Sequence, residues 1–186
     1  PLHTAAEYGR AASVAVLLEY GARVEARDRW YEGGGFTPLH TAAKYGHVDI
    51  ARILLDHQAG VDAEDNRGGT PLCQAAGSGH AAVAELLLDR GANVNGSATA
   101  HSSPLQWAAV FGHKSVTVLL VGKGADVNAL RPRDASALQL AATHGHKDVA
   151  EVLLAAGARK DFLAAVSLGD VAFAAQELKA RPGLID

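Results

Sequence analysis

The chain has 186 residues, 48% of them hydrophobic but only 5% aromatic, and a formal net charge of −3. That balance excludes the broad basic surface from which nucleic-acid binders draw their affinity. One cysteine, Cys73, excludes an internal disulfide, and no run of about 18 apolar residues offers a membrane span. A lone thiol fits a reducing compartment, here expected to be the cytoplasm.

In chain order, the first unit runs from residue 1 to about 36, with a short helix ahead of Gly9 and a second carrying Leu17. Between Val24 and Thr37 it contains Arg29-Trp30-Tyr31-Glu32-Gly33-Gly34-Gly35, a connection four residues longer than that from Val61 to Thr70. A longer tip with two aromatics predicts a finger that contacts a partner. The plainer account is a tolerated insertion, since loops accept length at small entropic cost. The second unit, 37–69, opens on Thr37-Pro38. The threonine is expected to cap a helix, and the proline fills the first turn, where an N–H is not needed. Gly46 closes that helix. The next helix carries Ile50, Ile53 and Leu54 at helical spacing. Gln58 stands where a glycine should end it, so the cap is expected to slip to Gly60.

The third unit, 70–102, repeats the scheme with Thr70-Pro71-Leu72-Cys73-Gln74-Ala75-Ala76, Gly79-His80, Leu87 and Gly91-Ala92-Asn93-Val94-Asn95. The fourth, 103–135, has Ser103-Pro104, Gly112-His113, Leu120 and Gly124-Ala125-Asp126-Val127-Asn128. The fifth, 136–160, has Leu138, Gly145-His146, Leu153 and Gly157. Gly46, Gly79, Gly112 and Gly145 thus recur every 33 residues. Gly169 follows after only 24, so one connection is missing and Asp161 is left to cap a degenerate sixth unit, 161–186. Two short helices cannot bury their own apolar face, but stacked pairs can.

The run Thr37-Pro38-Leu39-His40-Thr41-Ala42-Ala43-Lys44-Tyr45-Gly46-His47, the Leu54-Leu55 helix end and Gly124-Ala125-Asp126-Val127-Asn128 resemble the ankyrin repeat. The resemblance covers essentially the whole chain. It implies an all-α ankyrin-repeat solenoid, one domain over 1–186, of stacked helix-turn-helix units with projecting hairpin loops. It implies a protein–protein interaction scaffold and not an enzyme: an unidentified partner protein on the concave face and hairpin tips, with no cofactor, metal, nucleic acid, membrane or small-molecule substrate. The alternative is an accessory repeat segment of a larger enzyme or effector. The start at Pro1 without a Met, and the lack of a polar capping unit at either end, read as a fragment.

In proteins of this kind the partner lies against the hairpin tips and the exposed side of the first helices. Carried over by position, the helices contribute Tyr8, Lys44, Tyr45, Val110, Phe111 and His144, and the tips Arg29, Trp30, Tyr31, Phe36, Asn66, Arg67 and Arg133. Aromatic and arginine side chains are favoured binding anchors. Trp107 sits where the family often has a buried Leu and is read as core. The tips at 96–102 and 130–134 lack the family's Asp and Gly and should be less regular than Asp65-Asn66-Arg67-Gly68.

Nine histidines raise the question of a metal site. His47, His80, His113 and His146 lie one unit apart, about 8–10 Å, whereas zinc needs nitrogens about 2.1 Å from one ion. They cannot converge, and each reads as tidying its turn by bonding to backbone. His3 and His40 occupy a second registered position, expected to tie adjacent units. Cys73, Gln106 and Gln139 replace that histidine later, so the network should weaken toward the C-terminus. Cys73 has no evident catalytic setting, and Gly33-Gly34-Gly35 lacks the Gly-Lys-Ser/Thr of a phosphate loop. Asp49, Glu85, Asp148 and Glu151 read as a solvated outer surface. No catalytic residue is expected.

Overall fold

A computed structural model of the chain describes residues 1–28, 34–130 and 135–181. Among them are twelve helices and no strand: α1 (Leu2–Glu7), α2 (Ala11–Glu19), α3 (Pro38–Tyr45), α4 (Val48–Asp56), α5 (Pro71–Ser78), α6 (Ala81–Asp89), α7 (Pro104–Val110), α8 (Lys114–Gly122), α9 (Ala137–Thr143), α10 (Lys147–Ala155), α11 (Phe162–Leu168) and α12 (Val171–Ala180). They form six consecutive pairs. Odd-numbered helices pack on odd-numbered neighbours, and α2 to α10 likewise form a second layer.

The first-helix layer is the tighter one, and side-chain size explains it. Alanine pairs such as Ala42-Ala43, Ala75-Ala76 and Ala108-Ala109 are fully buried between first helices. The second layer buries larger groups, Ile50 with Leu54, Val83 with Leu87, Val116 with Leu120 and Val149 with Leu153. A wall with small residues on one side and large ones on the other curves toward the small side.

Each expected N-cap is present. Thr37, Thr70 and Ser103 accept from the backbone N–H three residues on, Ser136 does the same for α9, and Asp161 accepts from Ala164 N at 2.7 Å. The end of α4 differs from expectation: its cap does not slip to Gly60. Gln58 itself takes the left-handed conformation, φ 64°, that Gly91, Gly124 and Gly157 take in other units. An L-residue there is disfavoured by about 1–2 kcal/mol, which glycine avoids. Gln58→Gly should therefore raise the unfolding free energy by about 1 kcal/mol, measured by denaturant titration.

The registered histidines staple the units. Each bonds through Nε2 to a carbonyl of the preceding first helix: His47 to Glu7 at 3.0 Å, His80 to Lys44 at 3.1 Å, His113 to Gly77 at 3.0 Å and His146 to Val110 at 3.0 Å. The backbone bond expected from the sequence is made, but across the unit boundary. Each imidazole also lies over the glycine that ends the helix it reaches. A Cβ on Gly46 would stand 2.6 Å from His80 Nδ1, and one on Gly79 equally close to His113 Nδ1.

The second register runs through His3, whose Nε2 lies 2.8 Å from Phe36 O, and His40. His40 Nδ1 accepts from Thr37 N at 3.1 Å, which leaves Nε2 to donate to Gly69 O at 3.0 Å. Burial holds its pKa below the ordinary histidine value, against the opposing pull of the Gly69 carbonyl. Cys73 offers only a weak substitute, with Sγ 3.9 Å from Ser102 O. Gln106 is an exception to the expected decline toward the C-terminus, which Cys73 and Gln139 follow. Its Oε1 accepts from Ser103 N at 2.8 Å and its Nε2 donates to Ala135 O at 2.7 Å. An amide supplies one acceptor and one donor, as a neutral imidazole does.

Candidate functional site

With the leucines and alanine pairs facing inward, the opposite side of each first helix is left to solvent. Tyr8 is 67% exposed, Tyr45 38% and Phe111 50%, one aromatic from each of units one, two and four. Tyr45 donates its hydroxyl proton to Glu7 Oε1 at 3.2 Å, and its ring stacks on His47. Trp107 departs from the core role read in the sequence. It is 38% exposed and stacks almost parallel on Phe111, with centroids 5.6 Å apart and planes 6° apart. The two are four residues apart on one helix face, a signal the sequence did contain. The third unit makes room for them. A Cβ on Gly77 would lie 3.3 Å from the Trp107 ring, which accounts for a glycine inside α5 despite its cost of about 1 kcal/mol against alanine.

Between these helices and the tips is a cavity of about 730 Å³, lined among others by Phe36, Lys44, Arg67, Gln74, His101 and Trp107. Lys44 Nζ stands 5.9 Å from the Phe36 ring centroid and 5.7 Å from that of Tyr45. Arg67 is exposed. Asp65 also lines the cavity, and its Oδ1 accepts from Arg67 N and Gly69 N, both at 2.8 Å. Phe36 differs from the exposed tip residue expected: it is 7% exposed and stacks on His40 at 5.3 Å. The cause is the pairing below it, where Phe36 N donates to Asp28 Oδ1 at 3.0 Å and Asp28 N to Phe36 O at 2.9 Å.

Asn66 is exposed and donates its N–H to Gly34 O at 3.2 Å. Val110 is half-buried and lends its carbonyl to His146, while the exposed His144 stacks on the His146 ring. Neither Val110 nor His144 lines the cavity. Arg29, Trp30, Tyr31 and Arg133 lie outside the described residues.

The neighbouring tips are tied together. Arg27 Nη1 donates to Gly35 O at 3.2 Å and to Glu64 O at 2.6 Å. The Glu64 carboxylate in turn accepts from the hydroxyls of Ser97 at 2.6 Å and Thr99 at 2.8 Å. Those bonds, Ser97 first, hold the Glu64 pKa below the usual carboxylate range. The connection at 96–102, which lacks the family's Asp and Gly, is thus fastened by the unit before it.

Cys73 is buried and contacts Thr70 Oγ1 at 3.6 Å. Among the described residues no three His, Cys, Asp or Glu side chains gather as a metal site would require. None of the described helices is long and apolar enough to cross a membrane.

Family models agree with this architecture. One described as Ankyrin repeats (3 copies) matches residues 2–98, and one described as Ankyrin repeats (many copies) matches residues 105–154. A search of curated proteins finds no match. The first model alone spans just over half of the chain, and the chain belongs to the ankyrin repeat family. Ankyrin repeats generally serve as protein–protein interaction modules.

Proposed function

We propose that this chain is a scaffold that holds a partner protein on its concave, first-helix face and hairpin tips. The observation that supports this best is the exposed aromatic series Tyr8, Tyr45, Trp107 and Phe111 on the first helices of units one, two and four. Rings so placed offer large contact area with few rotatable bonds, as binding hot spots require. The second-helix side differs in chemistry. There, Arg90 pairs with Asp56 at 2.9 Å and Lys123 with Asp89 at 2.8 Å, exposed pairs that join units and suit contact with water. A stack stapled at each boundary of its first five units presents its surface already ordered, so binding loses little to conformational entropy. Arg29, Trp30, Tyr31 and Arg133 belong to the same proposal.

The test is partner capture on the immobilised chain. Tyr45→Ala with Phe111→Ala, and separately Trp30→Ala with Tyr31→Ala, should each reduce capture at least tenfold, the scale of a hot-spot loss. Arg52→Ala with Glu85→Ala, on exposed second-helix positions, should leave it unchanged, and all three should melt like the parent. Equal loss from the second-helix pair would refute the assignment of the face. A drop of several kcal/mol in the stability of the Trp30–Tyr31 variant would make those rings core.

A further inference from the structure

We infer that Asn95 is a self-modification site, where the side-chain amide is lost to the backbone nitrogen of Gly96, and that the joint between units three and four controls the reaction. This is independent of the binding face proposed above.

The chain has four asparagines, Asn66, Asn93, Asn95 and Asn128, and only Asn95 precedes a glycine. In the reaction the Gly96 nitrogen gives up its proton and attacks Asn95 Cγ. A Cγ–N bond forms, the Cγ–Nδ2 bond breaks, and the leaving nitrogen takes a proton and departs as ammonia. Water then opens the cyclic imide at either carbonyl, giving aspartate or isoaspartate. Amide and water thus become carboxylate and ammonium, and no oxidant or cofactor is consumed. A side chain on the following residue crowds the attack, and glycine has none. The other three asparagines are followed by Arg67, Val94 and Ala129.

The fold dictates this dipeptide. Gly96 takes the left-handed conformation, φ 68°, and a Cβ there would stand 2.9 Å from Pro104 Cδ of the next unit. Asn95 Oδ1 accepts from Asp126 N at 2.9 Å. That bond is one rung of a ladder between units, in which Glu25 accepts from Gly60 N, Asp62 from Asn93 N and Asn128 from Arg159 N. Acidic side chains serve on the rungs that meet Gly60 and Asn93. The rung that meets Asp126 carries a neutral amide instead.

In the closed stack the reacting atoms are all committed. Gly96 is buried, and its N–H donates to Asn93 O at 2.8 Å. Asn95 N donates to Asn93 Oδ1 at 3.0 Å, and its own Oδ1 is held by Asp126 N. Parting unit four from unit three removes both the Asp126 bond and the Pro104 ring beside Gly96. A solenoid opens locally at such a boundary. The product at 95 sets a second carboxylate against Asp126, so conversion loosens the joint that restrained it.

The test is peptide mapping of the whole chain, held in mildly alkaline buffer with and without guanidinium, which reads each asparagine by its conversion to acid. In denaturant Asn95 should convert first of the four. In native buffer it should convert at least about tenfold more slowly than in denaturant. His113→Ala, which removes the staple between units three and four, should speed the native conversion roughly fivefold, the scale of one lost hydrogen bond. His47→Ala, the same loss between units one and two, should leave it unchanged. Asn95→Asp should lower the melting midpoint by about 1–3 °C. Adding Asp126→Asn should restore it, because the pair then matches Asp62 with Asn93.

No preference for Asn95 in denaturant, or equal rates in the folded and unfolded chain, would overturn the site. Equal acceleration by the two histidine variants would make global unfolding the gate and overturn the role of the joint. An unchanged midpoint for Asn95→Asp would overturn the loosening.

Discussion

Gly79→Ala should lower the unfolding free energy by about 2–3 kcal/mol, whereas Gly145→Ala should lower it by only about 1 kcal/mol. Both glycines have nearly the same left-handed backbone, φ 77° and 78°, so the conformational penalty is shared. What differs is the next unit. The His113 imidazole lies where an alanine methyl at 79 would go, 2.6 Å from the built position, while nothing stands within 4 Å at Gly145. Asp170 follows Gly169 where a histidine follows Gly46, Gly79, Gly112 and Gly145, so no ring covers Gly145. The methyl at 79 must push the ring aside and break its bond to Gly77 O. His113→Ala combined with Gly79→Ala should accordingly cost less than the sum of the two changes. Denaturant titration of the four variants checks this. Additive effects would mean that glycine and histidine are not coupled across the boundary.

His40→Ala should be the most damaging of the polar changes, at about 2–3 kcal/mol, because buried Thr37 N loses its acceptor while Gly69 O keeps only the bond from Asp65 N. His40→Gln should cost under about 1 kcal/mol, since Gln106 already performs both bonds at the same position two units on. The two side chains differ with pH. Burial lowers the pKa of His40 in the folded chain, so at acid pH the unfolded chain binds more protons. The contribution is fully present above the unfolded value near 6.5 and is lost as pH falls from there toward the lowered folded value. Between pH 7.5 and 5.5 the parent should lose more stability than His40→Gln. Equal slopes for the two proteins would place the acid sensitivity elsewhere.

The family and the order of its units were legible in the sequence because the signal is local and repeated. Thr37-Pro38, Ala42-Ala43 and Gly46-His47 each name a cap, a close contact and a turn, and the 33-residue recurrence multiplies their weight. What stayed hidden depends on atoms a full unit away. Nothing near Gln58 tells whether a glutamine will take a left-handed conformation or the cap will move. Trp107 reads as core only when its position is judged against the family's usual residue. Its spacing to Phe111 and the bare Gly77 in the preceding unit point outward, but only when two units are read together. Phe36 reads as a tip residue until the Asp28 pairing draws it inward. The Glu64 clamp joins residues more than 30 apart that share no motif.

Among the described residues, the bonds that join the first five units all reach about the same distance along the chain, from 29 residues for Gln106 to Ala135 to 40 for His47 to Glu7, and Lys160 reaches Asp170 of the sixth across only 10. These ties therefore close loops of at most about one unit, and no part of the described chain waits for a far end to arrive. Assembly can start at any well-packed pair and spread both ways. During synthesis each new pair finds its mate already made just behind it, so this wall is suited to being laid course by course as it leaves the ribosome.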